Sequence, residues 1–158
     1  MEARQVPPRL VYIPRDLEGN SRGNPTEGKA NTIRDDYKRE TDPLPSYKVP
    51  PIPCIFYPWF KDHAKLMIYF HGIGEDLHVI QREIQFIRDM LMINILAVEY
   101  PGYGVNWNDG ICSEERMRSD ARQVLKFVLE ETDLEMKHII LLGRSMGAAV
   151  AAAVAAEF

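Results

Sequence analysis

Cysteine is nearly absent: Cys54 and Cys112 are the only two in 158 residues. Two thiols cannot build a disulfide framework or a cysteine-based zinc site, and their scarcity suits a reducing compartment. Long apolar runs are lacking as well. The strongest candidate, 146–156, is uncharged but mostly alanine, and falls short of the roughly 18–20 residues of a membrane span. The opening Met1-Glu2-Ala3-Arg4 has no basic-then-apolar signal pattern, and Glu2 stands where a myristoylation start needs glycine. An excess of positive charge is missing too: 19 basic against 23 acidic residues give a net charge of -4. That balance argues against a dedicated nucleic-acid binder, which concentrates positive charge. Neither a metal-ligand spacing nor a phosphate-cradling glycine loop is present, so no cofactor and no metal are expected. These absences predict a cytoplasmic protein without a transmembrane segment, and leave peripheral membrane contact open.

What remains is enough for one globular domain. The chain is 46% hydrophobic and 27% charged, and a chain of this length buries roughly 70% of its unfolded surface. Proline is unevenly spread: ten of the eleven lie at or before Pro58. From Arg15 to Asp42 the chain is polar and mixed in charge, too poor in apolar residues to order itself well. We therefore expect residues 1–48 to be an extended or partly disordered segment and 49–158 to form the folded unit. Leu10 to Ile13 reads as a short strand. Ile52 to Tyr57 reads as another, pushed towards a sheet edge by Pro53 and Pro58.

From Lys65 the pattern sharpens. Leu66 to Phe70 is a compact apolar run, a strand buried on both faces. Leu77, Ile80, Ile84, Ile87 and Leu91 step by three and four, one face of an amphipathic helix. Glu75 and Asp76 are expected in its first turn, where the helix dipole favours negative charge. Ile93 to Val98 is a second buried strand, closed by Tyr100-Pro101-Gly102-Tyr103-Gly104. Met117, Ala121, Val124, Leu125 and Val128 mark a second helix, with Ser113 as its N-cap. His138 to Leu142 is a third strand, running into Gly143-Arg144-Ser145-Met146-Gly147 and an alanine-rich helix. Alternating strands and helices predict an α/β fold, a mostly parallel sheet with helices on both faces. Ligands in such sheets bind beyond the carboxyl ends of the strands, and the motifs at His71, Tyr100 and Ser145 all project to that edge.

Gly143-Arg144-Ser145-Met146-Gly147 matches G-x-S-x-G, a nucleophile elbow. Ser145 must stand on a tight strand-to-helix turn with its hydroxyl above the sheet, and the flanking glycines remove side chains that would clash there. Met146 opens the next helix, so its backbone N–H can stabilise an oxyanion. His71-Gly72-Ile73-Gly74 follows the first strong strand, where such enzymes supply the second oxyanion donor. The Ile73 N–H is the expected donor, with Gly74 as the alternative. His71 is read as holding this loop in shape by a side-chain hydrogen bond. His63 and His138 lie at strand starts, and His138 stands roughly 20 Å from Ser145 at about 3.3 Å per residue. His78 is read as a surface residue near a helix start. Tyr100 to Gly104 either walls the site or is a proline-glycine turn with packed aromatics. Arg144 either contacts substrate or covers the elbow. Glu114, Glu115, Arg116 and Arg118 read as a solvated helix face.

With these three motifs in this order and spacing, the chain resembles the α/β-hydrolases. Within them it looks like the subgroup of serine aminopeptidase-like hydrolases and the hydrolase-domain proteins that remove palmitate from protein cysteines. The resemblance covers about residues 50–158, and implies a serine nucleophile at Ser145 with oxyanion donors at Ile73 and Met146. It implies hydrolysis of an ester, a thioester such as an S-acyl protein, or an amide of a peptide substrate, through an acyl-serine. The depalmitoylating members share an N-terminal cysteine cluster; here the first cysteine is Cys54, so that anchor is not implied. In the family the triad runs serine, acid, histidine along the chain. Thirteen residues follow Ser145, with Glu157 as their single acid and no histidine. Glu157 lies about three helical turns from the elbow, too far to serve. The expectation is a fold truncated after the elbow helix, nearly inactive as it stands. The alternatives are a catalytically dead domain that binds proteins or acyl groups, and a small-molecule sensor that keeps the pocket.

Overall fold

The computed structural model describes residues 7–15, 49–59 and 65–158. Of the segment 1–48, expected to be extended or partly disordered, all but residues 7–15 lies outside these. Five strands form one sheet: β1 (Arg9–Ile13), β2 (Ile52–Tyr57), β3 (Leu66–Phe70), β4 (Asn94–Val98) and β5 (Ile139–Gly143). Their spatial order is β1-β2-β4-β3-β5. β2 runs antiparallel to both β1 and β4, whereas β4, β3 and β5 are mutually parallel. Three helices cover the sheet: α1 (Gln81–Leu91), α2 (Glu114–Glu131) and α3 (Met146–Ala155).

The strands are apolar in succession because both faces are covered. Leu66, Ile68 and Phe70 of β3 pack on the side of α2 and α3, with Val124, Val128 and Val150. Met67 and Tyr69 point the other way, to Ile80 and Ile84 beside α1. Fully burying one such side chain contributes about 1.5–3 kcal/mol; alternate residues of β3 and β4 supply both layers, while β5 packs only towards α2 and α3, through Ile139 and Leu141. The N-cap of α2 is Ser113, whose hydroxyl accepts the Arg116 N–H at 3.3 Å. Among the described residues no helix is long and apolar enough to cross a membrane. Cys54 and Cys112 are both free.

Three expectations are corrected. β2 is not an edge strand but lies between β1 and β4. Pro53 is tolerated because it stands just past the last β2–β4 pair, Cys54↔Val98, where its carbonyl accepts the Glu99 N–H at 3.0 Å. The first helix starts at Gln81, not near Glu75. Asp76 accepts the His78 and Val79 N–H groups at 2.9 and 2.8 Å, closing a separate turn ahead of the helix. At its far end Leu91 is exposed, and buried Arg88 takes the inward position instead.

Candidate active site

β5 ends in a sharp turn. Ser145 has φ 51° and ψ -116°, a conformation rare for a residue with a side chain. Such strain persists only when the surroundings over-determine it, and here they do. The Arg144 N–H bonds the Phe70 carbonyl at 3.0 Å, and the Gly147 N–H bonds the Arg144 carbonyl at 2.9 Å. A Cβ on Gly143 would overlap the Gly147 carbonyl, and one on Gly147 would overlap the Phe70 carbonyl. Both glycines are therefore sterically required. Ser145 itself is exposed, at the carboxyl edge of the sheet. Met146 is the first residue of α3, where the leading N–H groups have no intrahelical partner.

The loop after β3 meets this turn. His71 is fully buried; its Nε2 lies 2.9 Å from Glu99 Oε1 and its Nδ1 3.0 Å from the Gly72 carbonyl. Both ring nitrogens thus face acceptors, and the ring serves the loop rather than the solvent. Glu99 is satisfied on both oxygens, accepting also from the Leu77 N–H at 3.1 Å and the Tyr100 N–H at 3.2 Å. The Tyr100 hydroxyl donates to the His71 carbonyl at 3.0 Å, with the two rings 4.2 Å apart. Burial pushes that hydroxyl well above its ordinary pKa, so it remains a donor. Among the described residues the Ile73 N–H has no backbone partner, and the Ile73 side chain is exposed. Gly74 adopts φ 75°.

A third segment, 100–112, borders the site and is tied down from afar. Arg15 grips buried Asp120 with Nε at 2.7 Å and Nη2 at 2.6 Å, while its Nη1 reaches Asp109 at 2.6 Å. Arg116 joins from α2, with Nη2 3.2 Å from Asp109 and Nη1 on the Asp109 carbonyl at 2.5 Å. Burial pushes the Asp120 carboxyl up despite Arg15. Arg116 is therefore a loop anchor and not part of a solvated face. Beside the elbow, Met146, Val150, Ala149 and Met117 line a cleft of about 190 Å³ with Glu114 and Arg118 at its rim.

The structure thus brings together Ser145, Gly143, Met146 and Gly147 with the segment His71, Gly72, Ile73 and Gly74. Of the other histidines, His138 lies in a one-turn helix ahead of β5, and His78 is exposed in the turn before α1. His63 lies outside the described residues. Glu157 pairs with Arg118 at 2.9 Å and Arg122 at 2.5 Å, and these hydrogen bonds lower its pKa. Tyr100 is packed in the core, so the turn it opens supports the loop from beneath. Arg144 covers the elbow, pairing with Glu75 at 2.7 Å and Glu83 at 3.2 Å. Sequence reasoning missed Glu99 as the partner of His71; its place at the end of a buried strand was the available signal. No group of three or more metal-ligating side chains occurs among the described residues.

The mostly parallel sheet, with helices packed on it, is an architecture that known proteins share. The fold is that of the α/β-hydrolases. No family profile matches the chain. It is 28% identical over 149 residues to the α/β-hydrolase domain-containing protein WAV2 of Arabidopsis thaliana, covering 91% of this chain and 45% of that one. Among solved structures it is similar to EstE1, a thermostable carboxylesterase cloned from a metagenomic library. The TM-score there is 0.63 at 17% identity, over 99% of this chain and 43% of the esterase. A hyperthermophilic esterase from Pyrobaculum calidifontis gives a TM-score of 0.56 at 18% identity, over 68% and 36% of the two chains. The chain thus spans less than half the length of these α/β-hydrolases.

Proposed function

We propose that this chain carries the nucleophile and oxyanion half of a serine acyl hydrolase acting on an ester or a thioester. Ser145 Oγ attacks the acyl carbonyl, and the Ile73 and Met146 N–H groups receive the negative oxygen. The leaving alcohol or thiol departs as the acyl-serine forms, and water later releases the acid. The observation that carries this reading is the strained, exposed serine, wedged by two obligatory glycines against the carbonyls of Phe70 and His71. The esterase titles of the structural neighbours favour carboxylic esters. The apolar cleft beside Met146 suits an aliphatic acyl group, and thioesters of the S-acyl protein type remain within the same chemistry. The subgroup reading, serine aminopeptidase-like or depalmitoylase-like, stands on the motifs alone.

Deacylation and attack both need a proton acceptor. His71 has both ring nitrogens occupied, and His138 lies just ahead of β5, at the opposite end of that strand from the elbow. A fluorophosphonate probe tests the reading, since it reports an activated serine. The 158-residue chain should label negligibly. A longer form bearing a downstream acid and histidine should label strongly, and Ser145→Ala should abolish that labelling. Rapid labelling of Ser145 in the short chain would place a base within it. A longer form that resists the probe would favour a binding domain without catalysis.

A further inference from the structure

We infer that Glu75 and Arg144 are positioning residues that form an ionic brace, setting the loop after β3 against the serine turn, with Arg144 offsetting the charge of Glu75 near a developing anion. The inference rests on the acyl-transfer reading above and extends it to two residues that touch no reacting atom. The two carboxylate oxygens of Glu75 divide between the two halves of the site. Oε2 accepts the Gly72 N–H at 2.7 Å, one residue before the proposed donor Ile73. Oε1 meets Arg144 Nη1 at 2.7 Å, one residue before Ser145. The same Nη1 lies 3.2 Å from Glu83 Oε2 on α1. The Glu75 side chain is 18% exposed and that of Arg144 56%.

Two consequences follow. The Gly72 N–H, already bonded to a carboxylate, is not free for an oxyanion, so the role falls to its neighbour. A carboxylate so near that neighbour opposes any negative oxygen placed there, unless a cation neutralises it; Arg144 supplies that cation. Arg144 is more than half exposed, so its substitutions should cost little and leave the protein folded.

The test uses phenylboronic acid on the full chain. Boron accepts a lone pair from Ser145 Oγ, the Oγ proton leaves to solvent, and the adduct is a tetrahedral anion that needs no general base. Equilibrium binding, followed by boron NMR, should be lost in Ser145→Ala. Arg144→Gln should weaken it roughly tenfold, a modest figure for one uncompensated charge nearby, and Arg144→Lys should retain most of it. The double variant Arg144→Gln with Glu75→Gln should bind better than Arg144→Gln alone, because the opposing charge is gone. A merely mechanical brace would make the double variant no better than the worse single one, and that result overturns the inference. A second readout does not depend on acyl chemistry. The Gly72 amide proton should resonate downfield in the wild type and move upfield in Glu75→Gln, with a smaller shift in Arg144→Gln. An unmoved Gly72 resonance in both variants overturns the brace. Absent boronate binding in the wild type, with those shifts intact, overturns the acyl-transfer reading and leaves the brace standing.

Discussion

The two borders of the sheet are held in opposite ways. At the β1 border, an ion network of Arg15, Asp109, Arg116 and Asp120 joins the N-terminal strand, the site loop and α2. At the β5 border the charge pairs are more exposed, Arg144 meeting Glu75 and Glu83 just beyond the end of the strand. Ile140 and Leu142 are 40% and 37% exposed, on a strand paired along one side. The β1 border is secured by directional charge pairs. The β5 border is secured by close backbone packing between the elbow and β3. A lost partner damages the first, an added atom the second.

The largest effect should come at the β5 border. Gly147→Val drives a side chain into the Phe70 and His71 carbonyls and should cost about 4 kcal/mol or more, at the extreme of point substitutions. Denaturant unfolding would show it, and a cost under about 1 kcal/mol would mean that the border is not backbone-limited. At the other border, Arg15→Met leaves Asp120 buried without its partner and should cost about 3 kcal/mol. Arg15→Met combined with Asp120→Leu should recover most of that loss, since a packed apolar pair can match a buried ion pair. Failure to recover would show that the network also shapes the 100–112 loop.

Much of this was legible in sequence, and the division follows the physics. The five strands read to within a residue because each is a short, nearly continuous apolar run, and the elbow read because sterics allow few residues there. The Arg15–Asp120 pair did not, because its members lie 105 residues apart, and charges in a polar stretch look solvated. β2 was misplaced because proline signals a missing donor without saying whether the ladder needs one at that point. Glu75 looked like a helix-dipole residue because the periodicity of Leu77 and Ile80 runs on into α1, and hides the separate turn closed by Asp76.

A smaller effect should appear in alkali. The Tyr57 hydroxyl is buried without a hydrogen-bond partner among the described residues, and burial pushes its pKa up to about 12. The folded state therefore keeps a proton that the unfolded chain loses near pH 10. Stability from this group is intact below about pH 10 and falls as pH rises towards 12, by roughly 2–3 kcal/mol in all. Tyr57→Phe should lessen the alkaline slope, to which buried Tyr69 and Tyr100 also contribute, and gain up to about 1 kcal/mol at neutral pH, because the orphaned hydroxyl is gone. Thermal melts from pH 7 to 11 would show both. The smallest change in stability should come from Ile140→Thr or Leu142→Thr, within about 1 kcal/mol because both side chains are already half in water. Light scattering should nonetheless show less self-association, since a flat apolar edge invites pairing. Unchanged association would place the sticky surface elsewhere.

The contact between the serine turn and the Phe70 carbonyl also bears on the order of events as the molecule forms. Arg144 and Phe70 are 74 positions apart in the chain, and closing such a loop costs entropy before any contact rewards it. β3 and β4 can pair across the much shorter span of α1, so they have the materials for an early nucleus. The serine turn has none of its own: its positive φ is held by carbonyls that do not exist as a surface until β3 is laid down. Its conformation should therefore arise after the transition state, and substitutions such as Gly147→Ala should quicken unfolding while leaving the folding rate nearly unchanged.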